Sequence, residues 1–161
     1  MKRTQSLLLC ALIAGAVLLD QIAKAVLVRA LPLGECTRAF LGIRLHHTRN
    51  TGVAFSFLQA HPQILTVLIA LILLGCVLYL FLGTRKFALS QRVCLALIIG
   101  GGLGNLVDRI RLGFVVDFIE PTFVRFAVFN SADTVLTCAV AALAFLVIRE
   151  ALREKKAGSA Q

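Results

Sequence analysis

The chain has 161 residues, 59% hydrophobic and only 16% charged, with a mean hydropathy of +0.90 and a formal net charge of +9. A water-soluble domain of this length has no use for so many apolar residues, and disordered or collagen-like chains have far fewer, so lipid is the solvent for most of its surface. The 17 Lys and Arg are scattered along the hydrophobic chain, which excludes a concentrated nucleic-acid-binding stripe and assigns them to membrane topology.

Lys2-Arg3 followed by the apolar stretch Leu7 to Leu19 has the layout of a secretory signal peptide. The flank before Cys10 lacks small cleavage-site residues and the apolar pattern resumes after Asp20-Gln21, so a retained first span over 7–31 is expected. An outer segment, 32–61, follows. Within it Phe40 to Phe57 alternates apolar and polar residues around Asn50-Thr51-Gly52, which predicts a small β-hairpin. Pro62 suits the first turn of a second span over 62–83, whose stretch Ile64 to Leu82 carries no charge. Spans over 93–110 and 132–149, with a second outer segment at 111–131 between them, complete the chain. The expected fold class is an all-α membrane protein: four transmembrane helices, a small extracytoplasmic β-hairpin or sheet and a short outer loop before the fourth helix, all in one domain, 1–161.

Nine basic residues fall on the side of the two termini and the loop 83–92, against seven on the other, so both termini are expected in the cytoplasm. Cys10, Cys76, Cys94 and Cys138 lie in apolar runs and act as small hydrophobes; only Cys36 could face an oxidising space. There is no C-x-x-C pair, and the strand neighbours His46 and His47 point to opposite faces, so no metal is expected.

The function is expected among the few polar residues in or near the spans, because an ionisable side chain at mid-membrane costs at least ~2.5 kcal/mol and needs a partner or a purpose. Asp20 and Lys24, four apart on one helical face, read first as a structural ion pair. The third span ends in a glycine-rich run, Gly100 to Gly104, followed by Asn105, Asp108 and Arg109 within about one turn. Asp117 is isolated between Val115-Val116 and Phe118-Ile119, where burial favours its protonated form. Asp133 opens the fourth helix, where free N–H groups and the macrodipole favour its anion. Two carboxyls set apart in this way suit paired acid and base chemistry. An alternative is a small transporter or proton- or ion-conducting protein, whose pathway would also be lined by intramembrane charges.

The ordered motifs Asp20-Gln21-Ile22-Ala23-Lys24, Asn50-Thr51-Gly52-Val53-Ala54-Phe55, Gly101 to Arg109, Gly113 to Phe118 and Phe129 to Asp133 resemble those of the lipoprotein signal peptidases, or signal peptidase II, the bacterial membrane aspartyl proteases. The resemblance covers almost the whole chain. It implies that Asp117 and Asp133 form the catalytic dyad. Asn50, Gly52, Asn105, Arg109 and Asn130 would line the site and hold the substrate backbone, and Asp20, Lys24 and Asp108 would support it. It further implies a bacterial inner-membrane enzyme without metal or organic cofactor, working near the outer membrane–water interface. It would cleave diacylglyceryl-modified prolipoproteins just before the lipidated cysteine and need neither nucleic acid nor oligomerisation.

Overall fold

The computed structural model describes residues 3–52, 62–83 and 87–158. Val53 to Phe57, part of the expected hairpin and of the second motif, and Arg85 and Lys86 of the expected inner loop lie outside the described residues. Four helices form: α1 (Arg3–Ala30), α2 (Pro62–Leu78, continued by a π-helical turn at Tyr79–Gly83), α3 (Leu89–Leu112) and α4 (Ser131–Gly158). Each is long and apolar enough to cross a membrane. Helices satisfy their own backbone groups where lipid offers none, which is why the apolar stretches take this form.

Three helices run beyond the expected spans, α1 by starting at Arg3. α3 begins at Leu89 because Gln91 caps it: its Oε1 accepts the Ala88 N–H at 2.8 Å, while its Nε2 donates to Glu150 Oε2 at 2.6 Å and ties the start of α3 to the end of α4. α4 continues past 149 to Gly158 and carries Lys155 and Lys156 in its last turn, where the helix dipole favours cations.

α3 is the central post. Of its most apolar window 61% is buried, against 11% or less in the other three helices. Its glycines make this possible. A Cβ on Gly100 would meet Ala16 and Ile13 of α1, one on Gly101 would meet Ala132 and Leu136 of α4, and one on Gly102 would meet Leu73 of α2. Inside lipid no hydrophobic force draws helices together, so this close backbone approach supplies the packing. Gly101→Ala should be the damaging change, because its Cβ would lie 2.7 Å from the Ala132 carbonyl oxygen, which cannot swing aside. The expected loss is ~1–3 kcal/mol, as for other overpacked sites. Gly102→Ala meets only the flexible end of Leu73 and should cost less. Thermal unfolding of both variants in detergent checks the order, and equal melting points would contradict it.

Outside the spans lies a two-stranded antiparallel sheet of β1 (Ile43–Asn50) and β2 (Val115–Pro121), paired from Ile43 opposite Pro121 to Asn50 opposite Val115 with a one-residue register shift between Leu45 and Thr48. The small sheet is as expected; the second half of the hairpin expected around Asn50-Thr51-Gly52 lies outside the described residues. A tight turn falls at Leu41-Gly42, both with positive φ (49° and 79°), and Phe40 and Ile43 exchange N–H···O bonds of 2.8 and 3.0 Å across it. The segment before the turn then follows one edge of β1, with Thr37 N–H donating to Leu45 O and His47 N–H to Glu35 O. Leu-Gly is a poor two-residue hairpin signal beside Asn-Gly, since Leu avoids positive φ. Asn50 instead ends β1, with its side chain engaged elsewhere.

The other edge of β1 takes β2, which starts at Val115, 65 residues after the last residue of β1, Asn50, and Arg44 fixes the register. It donates through Nε and Nη2 to the two oxygens of its cross-strand partner Glu120, both at 2.8 Å, and His46 Nδ1 lies 2.7 Å from Glu120 Oε2. The Arg44 hydrogen bonds hold the Glu120 carboxyl down at about 2. At its other end β2 seats Val116 and Phe118 against Leu27 of α1, so the strand is anchored to the helix bundle.

Candidate active site

Lys24 is the hub of a buried polar cluster where α1, α3, α4 and β2 meet. Its Nζ lies 2.8 Å from Asp20 Oδ2 and 2.9 Å from Asp108 Oδ2, and donates to Asn105 Oδ1 at 3.0 Å. All four residues are at least nine-tenths buried. The expected Asp20–Lys24 pair is present, and each of its partners does a second job. Asp20 Oδ1 accepts the Ser131 Oγ–H at 2.7 Å and the Ala132 N–H at 2.9 Å, so this carboxylate holds the N-terminus of α4. Asp108 Oδ2 accepts the Val116 N–H at 3.1 Å and thereby sets the start of β2. Gln21, which sequence reasoning gave no role, donates to Asp108 Oδ1 at 2.9 Å and to Gly104 O at 3.2 Å. Its position one residue after an intramembrane Asp was the available signal.

One cluster thus positions the two segments that carry Asp117 and Asp133. Asp133 sits in the first turn of α4 and forms a reciprocal cap with Asn130: its N–H donates to Asn130 Oδ1 at 2.9 Å, and its Oδ2 accepts the Asn130 N–H at 3.3 Å. Asp117 is 1% exposed in the middle of β2. Two amides link the carboxyls. Asn130 Nδ2 donates to Asp117 Oδ1 at 2.7 Å and to Asn105 Oδ1 at 3.0 Å, while Asn105 Nδ2 donates to Asp133 Oδ1 at 2.6 Å. Neither amide can flip without cost, because Lys24 requires an acceptor at Asn105 Oδ1 and the Asp133 N–H requires one at Asn130 Oδ1.

The second oxygen of Asp117 accepts from Asn50 Nδ2 at 2.8 Å. Asn50 is itself oriented by the Gly52 N–H, which donates to its Oδ1 at 2.8 Å in a local turn at the end of β1. Burial pushes the Asp117 carboxyl up to about 6; the hydrogen bonds from Asn50 and Asn130 oppose the rise and the charge of Asp133 adds to it.

Arg109 completes the group. Among the described residues its Nη1 donates to the Asn105 carbonyl oxygen at 3.4 Å, and the charges of Asp133 and Asp117 act on its guanidinium. The structure therefore joins Asn50, Asn105, Asp117, Asn130 and Asp133 in one hydrogen-bonded group, with Gly52 bonded to Asn50, Arg109 to the Asn105 carbonyl, and Asp20, Lys24 and Asp108 beside Asn105 and the start of α4. The histidines diverge, His46 to Glu120 and His47 to the Leu31 carbonyl, and among the described residues no cluster of His, Cys, Asp and Glu could hold a metal ion.

Four helices long and apolar enough to cross a membrane, with two carboxyls linked through amides at one end of the bundle, define a membrane protein with a buried acidic site. The family model of signal peptidase (SPase) II matches residues 12–149. The lipoprotein signal peptidase of Streptococcus pneumoniae (strain ATCC BAA-255 / R6) is 37% identical over 134 residues, covering 82% of this chain and 86% of that protein. That of Streptococcus pyogenes serotype M5 (strain Manfredo) is 38% identical over 135 residues, with 83% and 88% covered. A bacterial membrane enzyme solved by the in meso method at 2.3 Å resolution superposes with a TM-score of 0.79 at 25% identity, covering 89% of this chain and 88% of the other. The chain belongs to the signal peptidase II family and is a multi-pass membrane protease.

Proposed function

We propose that this protein is an aspartyl endopeptidase that removes the signal peptide from diacylglyceryl-modified prolipoproteins, cutting just before the lipidated cysteine. The observation that carries the reading is the pairing of Asp117 and Asp133 through Asn130 and Asn105. The lipoprotein signal peptidases it resembles supply the substrate class. The acids gather at one end of the bundle, where a peptidase acting on a membrane-anchored precursor needs them; a transport pathway would place them at the midplane between repeats.

Asp133, whose two oxygens accept N–H groups, is the base and takes a proton from water as that water attacks the scissile carbonyl. Asp117, protonated through burial, gives its proton to the carbonyl oxygen, forming a gem-diol. Collapse of the diol returns a proton to Asp117, and Asp133 passes its proton to the leaving amine. Two adjacent carboxyls sharing one proton avoid a double negative charge. Asn50, Gly52, Asn105 and Asn130 hold the substrate backbone, and Arg109, next to this group, positions the peptide. This chemistry needs no metal or organic cofactor. In this reading both termini lie on the cytoplasmic side of a bacterial inner membrane, as the nine-to-seven balance of basic residues favours, and the site lies on its outer side.

The test is cleavage by purified protein of a diacylglyceryl-modified lipobox peptide beside its unlipidated twin, with the product masses measured. A single cut before the cysteine, in the lipidated peptide alone, is the expected result. Absence of cleavage by folded protein would overturn the assignment.

A further inference from the structure

On the far side of α3 from Arg109, α1 and α3 end together around a crevice of about 270 Å³. Asp108, Arg111 and Leu112 of α3 line it, whereas Arg109, Ile110 and Gly113 line a separate hollow beside α2, as 3.6 residues per turn requires. The floor of the crevice is polar and saturated. Lys24 spends its three donors on Asp20, Asp108 and Asn105, and the Asp108 carboxylate accepts from Lys24, Gln21 and the Val116 N–H. The rim is different. Arg29 and Arg111, in the last turns of α1 and α3, are exposed, and among the described residues neither has a carboxylate within ion-pair distance. Arg111 Nη1 donates to Gln21 Oε1 at 3.4 Å, a long bond that leaves most of its guanidinium uncommitted. From Arg29 toward the middle of the span, Val26, Ile22 and Leu18 recur three or four residues apart and are exposed, so lipid covers this face of α1.

Two guanidiniums on one crevice, at the end of a lipid-covered apolar face, match a ligand with an anionic head and an acyl tail. We propose that the crevice binds an anionic phospholipid of the bilayer: Arg29 and Arg111 grip its phosphate, and one acyl chain lies along Val26, Ile22 and Leu18. The carbonyl ends of α1 and α3 repel an anion, so the attraction rests on the two arginines and the head must carry net negative charge. Phosphatidylglycerol meets this condition. Phosphatidylcholine, whose ammonium offsets its phosphate, does not, and free phosphate lacks the tail. Occupancy braces the scaffold behind the carboxyls, because Arg111 is linked through Gln21 to Asp108, which holds the start of the strand that carries Asp117. This lipid is distinct from any substrate, and the assignment stands apart from the peptidase reading.

The experiment is thermal unfolding of the full chain in a non-ionic detergent with dioleoylphosphatidylglycerol, dioleoylphosphatidylcholine or inorganic phosphate added. Phosphatidylglycerol at ten times its dissociation constant should raise the wild-type melting temperature by about 3–6 °C, and the other two by far less. Arg29→Gln with Arg111→Gln should lose most of this shift. Arg38→Gln with Arg125→Gln, which removes two other exposed charges, should keep it. Native mass spectrometry gives a reading independent of melting: phosphatidylglycerol should stay on wild type and on the Arg38/Arg125 variant, and not on the Arg29/Arg111 variant. A shift or a retained lipid that survives loss of Arg29 and Arg111 would overturn the proposal. So would equal losses in the two double variants, which would mark a general charge effect, and equal shifts from phosphatidylcholine or from inorganic phosphate.

Discussion

Asp117→Asn and Asp133→Asn each abolish turnover, with an expected loss of at least ~10²–10⁴-fold, the range general acid–base groups supply, while the variants still fold. Each substitution keeps the shape of the side chain but removes either the proton donor or the acceptor. At Asp117 the two oxygens accept from Asn50 and Asn130. A carboxamide there can accept one of these bonds and turns an N–H toward the other donor, a cost of ~1 kcal/mol. Against that, it no longer has to bury a charge. Assay of the lipidated peptide together with thermal unfolding in detergent separates a chemical loss from a structural one. Folded Asp133→Asn with substantial cleavage would remove Asp133 from the mechanism.

Lys24→Met should fail differently, by losing the fold. It leaves Asp20 and Asp108 buried at 1% and 3% exposure with no cation between them and removes the donor that holds Asn105. Breaking a buried ion pair by deleting one partner typically costs ~3–5 kcal/mol. A second change, Asp108→Asn, removes one of the stranded charges and should recover part of the melting temperature lost by Lys24→Met. The same change made alone in wild type should lower it, because the Val116 N–H and Lys24 lose a charged partner. Additive losses in the double variant would contradict the role given to this cluster.

Much of the fold was legible because lipid imposes a simple rule: charge-free stretches of sufficient length become helices, and Pro62 and Asp133 mark where two of them begin. The sheet was half legible. Alternation identified β1, but nothing local announced that its partner would be β2, since that pairing depends on Arg44 meeting Glu120 across a long stretch of chain. The Leu41-Gly42 turn was hidden for a related reason: the sheet tolerates a Leu at positive φ that an isolated turn would avoid. In the site, the residue types were visible and their wiring was not. Asp20-Lys24 looked like a self-contained pair, yet its contacts to α4, and through Asn105 to Asp133, appear only once the glycines of α3 bring four segments together. The choice of Asp117 and Asp133 over Asp108 came from the resemblance to a family, and composition alone offered no ground for it.

The most direct test of a carboxyl pair sharing one proton is the pH profile of kcat/KM for the lipidated peptide, measured with a metal chelator present. The folded carboxyl of Asp117 is raised from the ordinary 3.8 to about 6, so its proton is present below that pH and lost above it. Cleavage should therefore be indifferent to the chelator and should decline as pH rises above about 6. The corresponding limb of kcat should lie higher, because bound substrate excludes water from the carboxyl and further disfavours its charge. Activity that disappears with the chelator, or that climbs steadily through pH 6 to 9 with no falling limb, would contradict the shared-proton mechanism.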